Sequence, residues 1–192
     1  MNYELFKSIH GMAGRLDLLD KFMIFWTNNA IYMFGLALLL FWVFRDDYYK
    51  KSAFYAGFTG IIALFVNYLI TFIYYEPRPF VSHDVNTLIP HAADASFPSD
   101  HTTGAFAIAM FIWMRHRKVG LVMLFMALLT GFSRIWVGHH YPGDVLGSIV
   151  VATFVAILVN KITKWLNPLA ELLISIYSFL IRKKKNPDTA NY

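Results

Sequence analysis

Three short stretches of this chain concentrate side chains that can bind anions and move protons. They are Glu76-Pro77-Arg78-Pro79, Phe97-Pro98-Ser99-Asp100-His101, and the run from Ser133 to Asp144 that holds Arg134, His139 and His140. The residue types suit phosphoryl transfer. Arg78 and Arg134 present planar forks that bind phosphate oxygens two at a time. Ser99 and the amides beside it stand where a helix N-terminus offers free N–H groups to an anion. A neutral histidine is a nucleophile, and a phosphorylated imidazole divides one hard displacement into two easier ones. With His140 at a helix start, Asp144 lies one turn on and is expected to reach its ring, fix the tautomer and stabilise the imidazolium. His101, on a separate helix, can protonate a leaving oxygen and later deprotonate water.

Blander roles compete for the same residues. A lone histidine in an apolar chain is usually structural, which is the expectation for His10, His83 and His116, while His91 stays open. His139 adjoins His140 but points elsewhere on a helix or turn, so a supporting role is expected. Arg78 alone could be an anchor that snorkels to lipid headgroups. His101, His139, His140 and Asp144 are chemically adequate metal ligands. No HxxxH or HExxH spacing marks them as a set, so no metal and no other cofactor is assigned.

These residues need a scaffold, and the composition says which kind. The 192 residues are 57% hydrophobic, 18% aromatic and only 15% charged, with a mean hydropathy of +0.48. Soluble domains carry roughly 25% charged residues, so this is a membrane composition. With no cysteine, disulfides and thiolate metal sites are excluded. A net charge of +5 would fit nucleic acid, but basic residues confined to short loops reflect membrane orientation instead, and no nucleic-acid partner is expected.

The pattern predicts an all-α, polytopic membrane bundle of about five spans forming a single domain. The apolar segments are 22–44, 53–75, 102–114, 119–136 and 145–159, within a catalytic bundle covering 22–164. Residues 1–20 lack a signal peptide's apolar run and read as an interfacial helix with Phe6, Ile9 and Leu16 on its apolar face. Residues 165–192 read as a second interfacial helix that starts near Pro168. Its polar stripe is Glu171, Ser175, Ser178 and Arg182, and a basic tail follows it. Arg45, Lys50, Lys51, Arg115, Arg117, Lys118, Lys161, Lys164, Arg182, Lys183, Lys184 and Lys185 fall on one side and make up most of the 17 basic residues. By the positive-inside rule that side, with the C-terminal tail, is cytoplasmic, and the three reactive stretches share the extracytoplasmic face of a plasma membrane.

At these residues the chain resembles a known family. Arg78-Pro79, Pro98-Ser99-Asp100-His101 and Ser133-Arg134 … His140 … Asp144 are similar to the three-part signature of the type 2 phosphatidic acid phosphatase (lipid phosphate phosphatase) superfamily, KxxxxxxRP, PSGH and SRxxxxxHxxxD. That resemblance implies the helical core shared with vanadium haloperoxidases. It also implies His140 as nucleophile, His101 as general acid and base, Arg78, Ser99 and Arg134 as phosphate ligands, and no metal. Asp144 keeps its orienting role, Asp100 stands in the phosphate-binding stretch, and Thr71, Glu76, Ser133 and His139 stand behind these. Two positions depart from the signature. Thr71 occupies the lysine position, and Asp100 replaces a glycine, where a carboxylate beside phosphate needs a proton or a partner such as an arginine.

The segments around the motifs look most like the bacitracin-resistance undecaprenyl-diphosphate phosphatases of Gram-positive bacteria. That likeness implies hydrolysis of a polyprenyl pyrophosphate to the monophosphate, recycling the cell-wall lipid carrier and conferring antibiotic resistance. The lipid tail would stay in the bilayer while its headgroup enters between the second, third and fifth spans. A phosphatase for phosphatidic acid or phosphatidylglycerophosphate is the alternative within this class. A non-catalytic lipid-phosphate binding or transport protein is the alternative outside it.

Overall fold

Chain that lies in hydrocarbon must satisfy its backbone N–H and C=O groups internally, and the apolar runs do so as helices. The structure, a computed structural model that describes residues 1–185, is helical almost throughout. α1 (Asn2–His10) leads to α2 (Asp17–Phe44) and α3 (Asp47–Ile73); the single turn α4 (Pro79–Ser82) follows, then α5 (Asp100–Arg115), α6 (Arg117–Trp136) and α7 (Pro142–Lys185). Among the described residues the only strand-like pairing is one isolated antiparallel bridge, Pro77 to Ala95. α2, α3, α6 and α7 are long and apolar enough to cross a membrane. Their outward faces carry exposed Phe, Leu and Ile side chains, including Phe65, Phe125 and Phe154. The chain is a multi-pass membrane protein.

α5 differs from its neighbours. At 16 residues it is about 24 Å long, shorter than a hydrocarbon core of roughly 30 Å. It fills the centre of the bundle, packs against α3, α6 and α7, and buries Ala105, Ala107, Ala109, Phe111 and Ile112. Its shortness positions the site. Asn67 Nδ2 donates to Asp100 Oδ1 at 2.9 Å, so α5 begins level with Asn67, about 9 Å before the end of α3 at 1.5 Å per residue. The helix start is therefore sunk below the rim of the bundle.

Two glycines permit the close packing around that start. A Cβ on Gly147 would overlap the Phe97 ring, so α7 can approach the loop before α5 only without a side chain there. Gly138 has φ +90°, a left-handed conformation that ends α6 at little cost for glycine alone. It turns the chain so that His139 and His140 point back into the bundle.

Several boundaries differ from the sequence expectation. α2 starts at Asp17, so the helix that precedes it shrinks to α1. Phe6 is buried there against Ile135, Tyr141 and Val145, whereas Leu16 lies outside α1 at 54% exposure. No new helix starts at Pro168, because α7 runs through it. Proline removes one backbone donor from a helix interior, and packing holds the helix across the gap. Ala170 joins the core, Tyr55 Oη donates to Asn167 Oδ1 at 3.3 Å, and Lys51 pairs with Glu171 at 2.8 Å. The end of the expected basic tail, residues 186–192, lies outside the described residues.

Candidate active site

The site forms where the starts of α5 and α7 meet the end of α6 and the loop before α5. His140 is 2% exposed. Its Nδ1 lies 2.8 Å from the Ser96 carbonyl oxygen. A carbonyl only accepts, so Nδ1 carries the proton and Nε2 keeps its lone pair. Arg78 Nη1 points at that lone pair from 3.0 Å and also donates to the His139 carbonyl at 3.1 Å. Burial, then the charges of Arg134 and Arg78, hold His140 well below the ordinary imidazole value of 6.5, so the ring is neutral at physiological pH.

Asp144 does not hold the His140 tautomer as the spacing suggests. Its Oδ2 is 3.5 Å from His140 Nδ1, beyond a good hydrogen bond. That oxygen instead accepts from Ser96 Oγ and from the Tyr141 amide at 2.8 Å. The carboxylate acts on the ring through space and braces Ser96, whose carbonyl accepts the hydrogen bond from Nδ1. A loop residue has inserted where an i, i+4 pair was expected.

Arg134 is 2% exposed, and among the described residues its Nε and Nη2 have no hydrogen-bond partner. Buried guanidinium donors are ordinarily paired, and these two can serve an anionic oxygen. Arg78 is paired: its Nε donates to Asp94 Oδ1 at 2.7 Å. Burial raises Asp94, but the hydrogen bond and charge of Arg78 outweigh it and leave the carboxyl below its usual range.

Ser99 caps α5 with its Oγ turned to Thr102 Oγ1 at 3.0 Å, while its amide donates to Ser148 Oγ at 2.8 Å. The next amides, of Asp100 and those following in the first turn, have no intrahelical acceptor and can receive an anion. The Asp100 carboxylate is held by Asn67, not by an arginine. A carboxylate offers phosphate no donor, so only the Asp100 amide could serve an anion there. Asp100 and His101 both line a cavity of about 630 Å³ together with Arg78, Asp94 and Thr71.

The supporting residues divide. His139 is fully buried, donates from Nε2 to the Ile89 carbonyl at 2.9 Å and packs edge-on to His91 with centroids 4.5 Å apart. Burial and the Arg134 charge push it down to about 3. Thr71 Oγ1 turns back to the Tyr68 carbonyl at 2.8 Å. Ser133 ties α6 to α2 through Thr27 Oγ1 at 2.8 Å, away from the reacting groups. Glu76 lies beside Asp144. The half-buried His10 donates from Nδ1 to the Trp136 carbonyl at 2.8 Å, and His83 stacks on Tyr3 at 3.7 Å. Among the described residues no three His, Asp or Glu side chains gather as a metal site.

Sequence reasoning missed Ser96, Asp94, Asn67 and Ser148. Asn67 carried a usable signal, an amide in the middle of an apolar span, where polar groups are costly unless they act. Ser148 sits one turn beyond Asp144 and could have been read the same way. Ser96 acts through its carbonyl, which no residue type announces.

Below the polar groups the cavity turns apolar. It runs between α2, α3 and α5 past Ala30, Ile31, Gly60, Leu64, Gly104 and Ile108. The cavity does not follow the expected approach between α3, α5 and α7: among the described residues none of α7 lines it, and Ala152, Val155 and Ala156 of α7 share a buried core with α5.

The chain has known relatives. Undecaprenyl-diphosphatase BcrC of Bacillus subtilis (strain 168) is 53% identical over 193 residues and is covered over 100% of both chains. Bacitracin transport permease protein BcrC of Bacillus licheniformis is 31% identical over 160 residues, 83% of this chain and 79% of that one. The crystal structure of Aquifex aeolicus LpxE superposes with a TM-score of 0.67 at 28% identity, covering 83% of this chain and 94% of that chain. The PAP2 superfamily model matches residues 52–168, from α3 through the site into α7, and the chain belongs to the PAP2 superfamily.

Proposed function

We propose that this protein hydrolyses undecaprenyl diphosphate to undecaprenyl phosphate and inorganic phosphate. One observation carries the reading: Arg78, whose Nη1 lies 3.0 Å from Nε2 of the buried His140, lines with His101 the polar head of an apolar cavity of about 630 Å³ within a membrane bundle. From Tyr68 to Gly57 the α3 wall of that cavity covers about 16 Å at 1.5 Å per residue. A linear isoprenoid tail suits such a groove, and its diphosphate would rest among Arg78, Arg134 and the first amides of α5. The full-length relative named as an undecaprenyl-diphosphatase supports the substrate.

His140 Nε2 attacks the terminal phosphorus. The bond from that phosphorus to the bridging oxygen breaks, and His101 gives the departing lipid phosphate its proton. Water then attacks the phosphorylated imidazole, His101 takes the proton, and phosphate leaves with His140 regenerated. Arg78 must first release the Nε2 lone pair, which the incoming phosphate oxygens draw it to do. Fixed donors aimed at the transferring group supply most of the stabilisation. Basic residues at the opposite end, among them Arg45, Arg115 and Arg117, which lie over Tyr49, Tyr48 and Trp113, support an extracytoplasmic face for the site by the positive-inside rule.

The Bacillus licheniformis relative carries a transport name. Headgroup capture would use the arginines and the groove but would need neither a tautomer-locked His140 nor His101. The test is phosphate release from undecaprenyl diphosphate by detergent-purified protein. Wild type is expected to turn over and to yield a labelled histidine when quenched, whereas His140→Ala does neither. Turnover by His140→Ala at the wild-type rate would end the nucleophile assignment, and a wild type that binds lipid without releasing phosphate would favour transport.

A further inference from the structure

Asp144 presents an unexplained atom. Its Oδ2 is saturated by Ser96 Oγ and the Tyr141 amide, but its Oδ1 is fully buried and has no partner among the described residues. A buried carboxylate oxygen without a donor is costly. The neighbour that could satisfy it is Glu76, whose carboxyl lies beside that of Asp144. Two ionised carboxylates cannot share that space, because both only accept and both are negative.

We propose that Glu76 is a positioning residue that carries a proton and donates it as a hydrogen bond to Asp144 Oδ1. The contact completes a line from Glu76 through Asp144 and Ser96 to His140. Glu76 is well placed for this, since its own carbonyl accepts from the Ser96 amide at 2.7 Å, beside the Pro77–Ala95 bridge. One residue therefore grips Ser96 by the backbone and Asp144 by the side chain. With the proton present the pair holds one negative charge, which faces His140 as the ring becomes a phosphorylated cation. Without it, repulsion drives the carboxylates apart, Ser96 Oγ loses its acceptor, and the carbonyl that holds His140 Nδ1 is released.

The surroundings favour the proton. Burial, and then the Asp144 charge, raise Glu76 above its ordinary value of 4.5. The groups facing it are the Tyr74 hydroxyl, 3.4 Å from Oε2, Asp144 from α7, and Tyr141 from the turn before it. Among the cations, Arg78 acts on Asp144. The inference rests on the proposed hydrolysis only for its kinetic consequences.

The experiment compares Glu76→Gln, which can still donate, with Glu76→Leu, which cannot. In the wild type an infrared band of a protonated carboxylic acid is expected at neutral pH and is expected to vanish in Glu76→Gln. Glu76→Gln should keep kcat within about threefold of wild type, and the alkaline limb of its pH profile should move up or disappear because the amide cannot ionise. Glu76→Leu should lower kcat by about 10- to 100-fold, of the order seen when the partner behind a metal-ligating histidine is lost, with KM little changed. The proposal is overturned if the infrared band survives in Glu76→Gln, if both variants lose kcat alike, if Glu76→Leu keeps the wild-type kcat and pH profile, or if the loss lies in KM. Should Glu76→Leu fail to fold, the band and the pH profile of Glu76→Gln still decide. A wild type that releases no phosphate would count against the proposed hydrolysis and leave the infrared result standing.

Discussion

α5 carries a polar cluster at each end, and the two are built from nearly the same residues. At the far end His116 Nε2 lies 2.9 Å from Ser52 Oγ, and its ring stacks on Tyr49 at 4.2 Å. Arg115 Nε donates to the same hydroxyl at 3.1 Å, and its guanidinium lies over Tyr48 and Tyr55 at 5.0 and 5.5 Å. At the near end Arg134 keeps two buried donors unpaired and Asp144 one buried acceptor. A histidine, an arginine and a serine make a fastener where their hydrogen bonds close on one another. The same residue types make a binding site where the bonds are left open for an acceptor. Satisfaction, not composition, separates the two.

The largest test exchanges the two arginines. Arg134→Ala is expected to cut kcat/KM by about 10²- to 10³-fold, as losing a donor aimed at a transition state does, while thermal stability in detergent holds or rises because an unpaired buried charge is gone. Arg115→Ala should do the reverse, leaving kcat/KM within about twofold and lowering stability by about 1–3 kcal/mol. Equal effects of the two on turnover would dissolve the contrast. A second test fills the groove. A Leu at Gly104, which faces Leu64, should raise KM for the long lipid about tenfold, of the order lost when an apolar contact of this size is blocked. The same variant should spare a short-chain, water-soluble diphosphate, and equal loss on both would detach the groove from the tail.

Ser96→Ala is a subtler probe. It removes the Oγ donor to Asp144 but keeps the carbonyl on His140, so kcat should fall about tenfold with KM unchanged in steady-state assays. The smallest effect concerns pH. His91, His139 and His140 at the site, and His116 at the far end, are all held below 6.5, mainly by burial. The unfolded chain binds their protons more readily than the folded one, so stability is full above about pH 6.5 and is lost as pH falls below it. Thermal unfolding from pH 7.5 to 5 should show that slope. His140→Ala should flatten it more than His116→Asn, because the His140 shift is the larger.

Much of this was legible before any coordinates. Spans follow from apolar runs, since each must satisfy its backbone within hydrocarbon, and the basic loops sort the ends. Arg78, His101, Arg134, His140 and Asp144 stood out because ionisable groups at membrane depth are costly. The length of α7 was not legible, because Pro168 ordinarily starts or stops a helix and only contact with Tyr55 and Lys51 carries it through. The partner of Asp100 was misjudged for a related reason. Charge alone suggested an arginine, but the level at which short α5 meets α3 brings Asn67 instead.

Residue type and order by themselves determined a membrane bundle, the three reactive stretches sharing one end of it, and a histidine and arginine chemistry suited to phosphate. Only the tertiary structure decided which atom accepts the hydrogen bond from His140, which arginine stays unpaired, and that the groove runs between α2, α3 and α5. A side chain's chemistry travels with its letter in the sequence. A backbone carbonyl such as that of Ser96 is common to every residue, and its aim depends on how a loop is folded. Whether a buried donor is satisfied depends on every neighbour at once, and neighbours exist only after the chain has packed.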